Sequence, residues 1–138
     1  MDFMKVLALD VGDVRIGLAT SDPLGIIASG YETYTRQGEN ADIQYLKDFI
    51  KKNAIELVVI GLPINMDGTF GERVEIVKNF ANKLLEEVQI DIVFQDERLT
   101  TVQAEKMLIR HGVKRKKRKK VIDKVAATII LQAYLDSK

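Results

Sequence analysis

The sequence lacks cysteine altogether and has a single histidine, His111. The first absence excludes disulfides and thiolate metal sites, which agrees with a reducing compartment. The longest apolar stretch, from Leu57 to Ile64, is too short to span a bilayer and is interrupted by Gly61 and Pro63. No signal-peptide pattern precedes the first apolar run. We therefore expect a cytoplasmic protein without a membrane partner, in which His111 closes a helix rather than acting as a base.

The chain also lacks a large net charge, because its formal charge is only +1. An apolar fraction of 46% and a length of 138 residues predict one folded domain, 1–138, rather than a disordered chain. The cations are nevertheless unevenly distributed. A basic block of consecutive lysines and arginines lies in the last third of the chain. Its charges repel one another unless a polyanion neutralises them, so we interpret the block as a solvated segment that contacts nucleic-acid phosphates. It comprises Lys114, Arg115, Lys116, Lys117, Arg118, Lys119 and Lys120.

Apolar patterning predicts an α/β fold with the element order β-β-β-α-β-α-β-α-α. Strands are predicted at 5–10, 15–21, 26–34, 56–62 and 90–95, and helices at 41–53, 72–88, 101–111 and 121–135. The first three strands are joined by short turns and should be antiparallel, whereas the later strands alternate with helices. The prediction is a mixed five-stranded sheet flanked by helices.

Three acidic positions lie at the ends of rigid elements. Asp10 ends the first apolar strand, and the adjacent Asp96 and Glu97 end the last one. Parallel strands bring such ends to one edge of a sheet, where ligands bind in open α/β folds. Because neighbours in an extended chain point to opposite faces, only one of Asp96 and Glu97 can join Asp10. Periodicity does not choose between them, since the preceding residues are apolar on both faces.

Asp123 supplies the third acid, in the predicted first turn of the last helix, where a negative charge suits the helix dipole. Each acid taken singly is better explained by a structural role, as a turn former or as a charge at a helix amino terminus, than by catalysis. Together, three oxygen-donor groups without histidine or cysteine favour one or two Mg²⁺ or Mn²⁺ ions. Two such ions can support phosphodiester cleavage.

Other polar signals each have a plain structural explanation as well. The strand-to-helix loop from Gly61 to Gly71 is suited to phosphate at a helix amino terminus, or is simply a tight connection. It lacks the Lys-Ser/Thr pair of nucleotide-triphosphate loops. Arg15 and Arg98 are candidates to bind phosphate or to pair with nearby carboxylates. No aromatic residue lies near the basic block, so base stacking is not expected there.

Four segments together resemble the YqgF/RuvX family, in order and over essentially the whole chain. They run from Asp10 to Asp22, from Gly61 to Gly68, from Asp96 to Thr101 and from Asp123 to Ala127. The resemblance implies an RNase H-like fold of the RuvC type and a metal-dependent nuclease that matures the 5′ end of 16S rRNA. By position it implies Asp10 and Asp123 as the first and last catalytic acids. Glu97 is the preferred middle acid and metal ligand, with Asp96 as its rival.

Alternative functions remain at this point. Some members of the family are discussed as Holliday junction resolvases, which act on branched DNA and need two active sites. The oligomeric state is thus expected to be a monomer or a weak homodimer. A non-catalytic nucleic-acid-binding protein is a further alternative. The Asp10-Val-Gly12 segment is also similar to the phosphate loop of sugar kinases and actin-like ATPases, but those proteins need two such lobes.

Overall fold

A computed structural model describes residues 4–98 and 100–137. Within these residues, nine helices and strands follow one another in the predicted order. The strands are β1 (Val6–Val11), β2 (Arg15–Ser21), β3 (Ala28–Thr35), β4 (Leu57–Leu62) and β5 (Asp91–Asp96), and the helices are α1 (Glu39–Lys52), α2 (Glu72–Glu87), α3 (Thr100–Arg110) and α4 (Arg115–Asp136).

The strands form one mixed sheet in the order β3-β2-β1-β4-β5. β2 is antiparallel to β1 and β3, whereas β4 is parallel to β1 and β5. The prediction of a mixed five-stranded sheet is confirmed. β1, the first strand in sequence, lies at its centre, and the carboxyl ends of β1, β4 and β5 share one edge.

Residue alternation along the strands divides the core into two layers. Odd-numbered residues of β1, such as Leu7 and Leu9, pack against α1 and α2. Even-numbered residues, Val6 and Ala8, pack on the opposite face with Ala127 of α4. Helices therefore cover both faces of the sheet, as predicted, and Asp10 belongs by alternation to the face that α4 covers.

α4 differs from the prediction in where it begins. It starts at Arg115, so most of the basic block is helical, and the expectation of a solvated loop before a helix from Val121 is wrong. Asp123 lies about two turns inside α4 rather than in its first turn. The helix dipole is consequently not what stabilises the Asp123 carboxylate, and another partner must do so.

Glycine at position 17 allows α4 to cross the sheet closely. A Cβ atom on Gly17 would lie 1.9 Å from the backbone oxygen of Asp123, which is an impossible contact. Gly17 of β2 is also the register partner of Asp10 in β1. The close approach therefore sets Asp123 at the same level of the sheet as Asp10. No described helix is both long and apolar enough to cross a membrane.

Candidate active site

A cleft of about 390 Å³ lies at the carboxyl edge of the sheet, and Asp10, Glu97 and Asp123 all line it. β1 carries Asp10, β5 leads into Glu97, and α4 carries Asp123. The structure thus brings together the three acids that the sequence singled out, from three separate elements. This is the edge at which open α/β sheets place ligands.

Strand register brings Glu97 to Asp10. Val93 of β5 packs in the layer under α4, and alternation puts Gln95 and Glu97 on that same face. The Glu97 amide continues the ladder by donating to the Leu62 carbonyl at 3.1 Å. A Cβ at position 61 would lie 2.9 Å from a Glu97 carboxylate oxygen, so Gly61 makes room for the side chain.

Asp96 is directed to a different partner. The Arg98 amide donates to one Asp96 oxygen at 2.9 Å, and the Arg98 guanidinium donates to the other at 3.0 and 2.8 Å. These bonds hold the pKa of the Asp96 carboxyl below its usual value. The Asp96 carboxylate is therefore already neutralised within its own turn, and it does not line the cleft.

Asp10 and Glu97 form a buried carboxyl pair. Burial and then the charge of Asp123 raise the pKa of Asp10 to about 6, while its hydrogen bond with Glu97 acts in the opposite direction. Burial and then the charge of Asp10 raise the pKa of Glu97 to about 8. Two carboxylates in contact away from water cannot both remain charged without a cation. Near neutral pH the pair must therefore share a proton or bind a positive ion.

Asp123 lies beside this pair but has a partner of its own. Its carboxylate accepts a hydrogen bond of 2.9 Å from the Arg15 guanidinium, which is the partner that replaces the helix dipole. Both side chains are partly exposed, at 38% for Arg15 and 21% for Asp123. Among the residues that the structure describes, no three acidic groups are gathered closely enough to surround a metal ion.

Arg73 is a cleft residue that sequence reasoning missed. It lies in the first turn of α2, donates to Asp13 and, at 3.4 Å, to the Val11 carbonyl, and lines the cleft. Its charge lowers the pKa of both Asp10 and Glu97, against the effect of burial. The order of the elements could have pointed to Arg73, because a helix that follows a parallel strand begins at the carboxyl edge of the sheet, where the cleft lies.

The predicted nucleic-acid contacts fall into two groups. Arg15 and Arg98 are paired with carboxylates, and the Arg118 guanidinium donates to the Val113 carbonyl at 2.9 Å. The others are exposed, and they are Lys114, Arg115, Lys116, Lys117, Lys119 and Lys120.

The strand-to-helix loop is less suited to phosphate than its glycines suggested. Glu72 and Glu75 occupy the first turn of α2 and oppose an anion there. Asp67 and Thr69 close the loop on themselves with a 2.6 Å hydrogen bond. Met66 from this loop, 66% exposed, and Val102 from α3, 47% exposed, add apolar walls to the cleft. His111 directly follows α3, which agrees with the predicted helix end.

Residues 4–137 match the RuvX family, described as "Holliday junction resolvase". A relative from Clostridium kluyveri named "Putative pre-16S rRNA nuclease" is 50% identical over 133 residues, covering 96% of this chain and 97% of its own length. One of the same name from Carboxydothermus hydrogenoformans is 52% identical over 135 residues, covering 98% of both.

Two solved structures with bound Holliday junctions share the fold. The fowlpox virus resolvase superposes with a TM-score of 0.63 at 10% identity, covering 97% of this chain and 98% of that one. The RuvC of T. thermophilus superposes with a TM-score of 0.61 at 14% identity, covering 97% and 94%. The predicted RNase H-like fold is thereby confirmed. Because the family match spans residues 4–137, and relatives are 50% and 52% identical over nearly their full length, this chain belongs to the RuvX family.

Proposed function

We propose that this protein is a metal-dependent endonuclease that cleaves phosphodiester bonds in structured RNA, with the 5′ end of the 16S rRNA precursor as its substrate and the cytoplasm as its location. The observation that carries the proposal is the buried Asp10–Glu97 pair at the sheet edge, with Asp123 beside it. The choice of substrate rests on the name that relatives about 50% identical over nearly their full length bear.

The carboxyl pair fits a divalent cation. Asp10 is only 9% exposed and Glu97 is partly buried, so their mutual repulsion is poorly screened by water. Carboxylate oxygens are hard ligands, which suit Mg²⁺ or Mn²⁺. One or two such ions, when bound, supply Lewis-acid chemistry that activates a water and stabilises the leaving oxygen of a phosphodiester.

The chain's own residues then have separable roles. Asp10 and Glu97 would hold the cation. Asp123 would complete the set of ligands after breaking its 2.9 Å hydrogen bond with Arg15. Releasing Asp123 would free the Arg15 guanidinium beside the cleft, where a phosphate could take the place of the carboxylate. Arg73 lies against both carboxyl groups from the α2 side and would offset the negative charge of the substrate.

Asp10→Asn tests the proposal. We expect cleavage of a 16S precursor fragment in Mg²⁺ or Mn²⁺ to fall at least about a hundredfold, because losing even an outer partner of a metal ligand costs about 10- to 100-fold. Binding of the RNA should persist. Asp91→Asn, an exposed acid at the opposite end of the sheet, is the matched control. Wild-type cleavage by Asp10→Asn would rule out this mechanism and favour a non-catalytic binding protein.

A second candidate is resolution of four-way DNA junctions. It is favoured by the description of the matched family and by the fold shared with two junction-bound resolvases. Paired cuts require two active sites, hence a dimer with its sites suitably spaced. The same variants assayed on a four-way junction separate the candidates. A strictly monomeric protein in the presence of the junction, with cleavage confined to the RNA, would exclude resolution.

A further inference from the structure

The amino-terminal end of α4 projects beyond the strands at the edge that carries the carboxylates. α4 runs antiparallel to β1, because Asp123 contacts Gly17 near the carboxyl end of β1 while Gln132 bonds Ala28 near its amino end. Residues 115–122 precede Asp123, so about 12 Å of helix extends past it. β2 contributes only two residues beyond Gly17. The basic segment is therefore a helical overhang beside the cleft.

The cations of this overhang lie on different sides of the helix. Successive helical residues are rotated by about 100°, which puts Lys116 about 20° and Lys120 about 60° from Asp123 in one direction around the helix. Lys119 is about 40° from Asp123 in the opposite direction. Lys117 is seven residues before Lys124 and thus nearly in line with it. The stem of Lys124 crosses β3, since a Cβ on Gly30 would come within 2.8 Å of its Cγ. Lys116, Lys117 and Lys120 accordingly lie toward Asp123 and the β2–β3 side of α4.

The remaining cations lie on the side of α4 that faces α3. Arg115, Arg118 and Lys119 line a groove together with Glu105 of α3, whose charge opposes theirs. Arg118 is partly buried and donates at 2.9 Å to the Val113 carbonyl in the turn that connects the two helices. These contacts serve the α3–α4 junction and leave less of the cationic charge available to a ligand.

We propose that Lys116, Lys117 and Lys120, continued by Lys124 and Arg15, form a phosphate track that leads a nucleic-acid strand into the cleft from the β2–β3 side. The α3-facing cations are not part of it. This inference rests on the proposed function and specifies which surface of the site holds the substrate. The geometry favours a sugar–phosphate ligand over base recognition, because the track contains only cations, and phosphate contacts position a strand without reading its sequence.

Two variants with equal charge loss test the track. Lys116→Gln/Lys117→Gln/Lys120→Gln removes three of its cations, and Arg115→Gln/Arg118→Gln/Lys119→Gln removes three from the α3 side. Affinity for a labelled single-stranded RNA is measured by fluorescence anisotropy at several salt concentrations, without divalent metal. Thermal unfolding verifies that each variant is folded.

We expect the track variant to bind roughly fiftyfold more weakly at 0.15 M salt and to lower the salt slope by about 2, since each single-strand phosphate contact contributes about 0.7. The α3-side variant should change the slope by less than about 1. Equal losses in the two variants, or a larger loss in the α3-side variant, would overturn the track while leaving the proposed function intact. If the unmodified protein binds neither this RNA nor a structured fragment of the 16S rRNA precursor, the proposed function is overturned, and the track with it.

Discussion

Asp96 and Glu97 are chemically similar neighbours with opposite surroundings. The Asp96 carboxylate is 39% exposed and held by Arg98, whereas Glu97 is partly buried beside Asp10 and its pKa is raised. An exposed ion pair contributes only about 0–1 kcal/mol, so losing it changes stability little. A buried carboxyl pair, in contrast, is a strong candidate for cation binding.

The different environments of these two residues predict different effects when each one is substituted. Glu97→Gln should reduce metal-dependent cleavage at least about a hundredfold, as for Asp10, because it removes a ligand from the pair. Asp96→Asn should retain activity within a few fold, since the amide oxygen can still accept from the Arg98 amide. Cleavage rates in Mg²⁺ are the measurement. Loss of activity in Asp96→Asn with retention in Glu97→Gln would assign the middle ligand to Asp96 instead.

At the residue scale, the sequence singled out acids that the structure places in one cleft, but it did not determine their orientation. Apolar runs and chain position were enough to single out Asp10 and Asp123, but the choice between Asp96 and Glu97 depends on register. That register becomes visible only when β5 is paired with β4 and Val93 is seen to face α4. Arg73 was missed for a related reason: the buried Val74 and Val77 define the helix stripe, and the charged residue beside it carries no periodic signal.

At the scale of elements, the largest error concerned α4. A run of seven like charges at a helix amino terminus is disfavoured by mutual repulsion and by the dipole. Lysine and arginine nevertheless have good intrinsic helix propensity, and packing of the later turns outweighs the repulsion. The sheet was easier to predict, because the fully buried runs of β1 and β4 mark central strands directly.

The crossing of α4 over β2 predicts contrasting effects for two glycines. Gly17→Ala would place its methyl group 1.9 Å from a backbone oxygen of α4, so the helix must shift. We expect at least about 1–3 kcal/mol of destabilisation, as for overpacked cores. Gly30→Ala is the control, since its close contacts are the side chains of Lys124 and Thr128, which can move. Urea unfolding measures both. Equal costs at the two positions would contradict this account of the crossing.

At the scale of the whole molecule, a net charge of +1 conceals a strong separation of charge. Cations are concentrated on the α4 overhang, and the acids of the cleft are buried at its base. The arrangement attracts a polyanion to one edge of the sheet while keeping the remaining surface mixed. Because the buried acids are destabilising when charged, the same arrangement also connects folding stability to protons and cations.

Stability should therefore fall as pH rises between about 4 and 8 in the absence of divalent metal. The pKa of Asp10 rises from 3.8 to about 6 and that of Glu97 from 4.5 to about 8 on folding. In this window the folded pair retains protons that the unfolded chain has lost, so deprotonation destabilises the folded state. This loss of stability is absent below the pKa values that the two carboxyl groups have in the unfolded chain. It is complete above the pKa values that they have in the folded protein.

A divalent cation should reverse this loss by replacing the proton. We expect roughly 10 mM Mg²⁺, added while the ionic strength is held at about 0.15 M, to raise the unfolding temperature more at pH 8 than at pH 5, where it must displace a bound proton. The Asp10→Asn/Glu97→Gln double variant, which keeps every other titrating group, should lose the part of the pH slope that the pair contributes, and it should lose the Mg²⁺ effect. Thermal unfolding of both proteins across this range gives the difference. If wild type and double variant respond identically, the carboxyl pair is not a cation site, and a nuclease mechanism based on it fails.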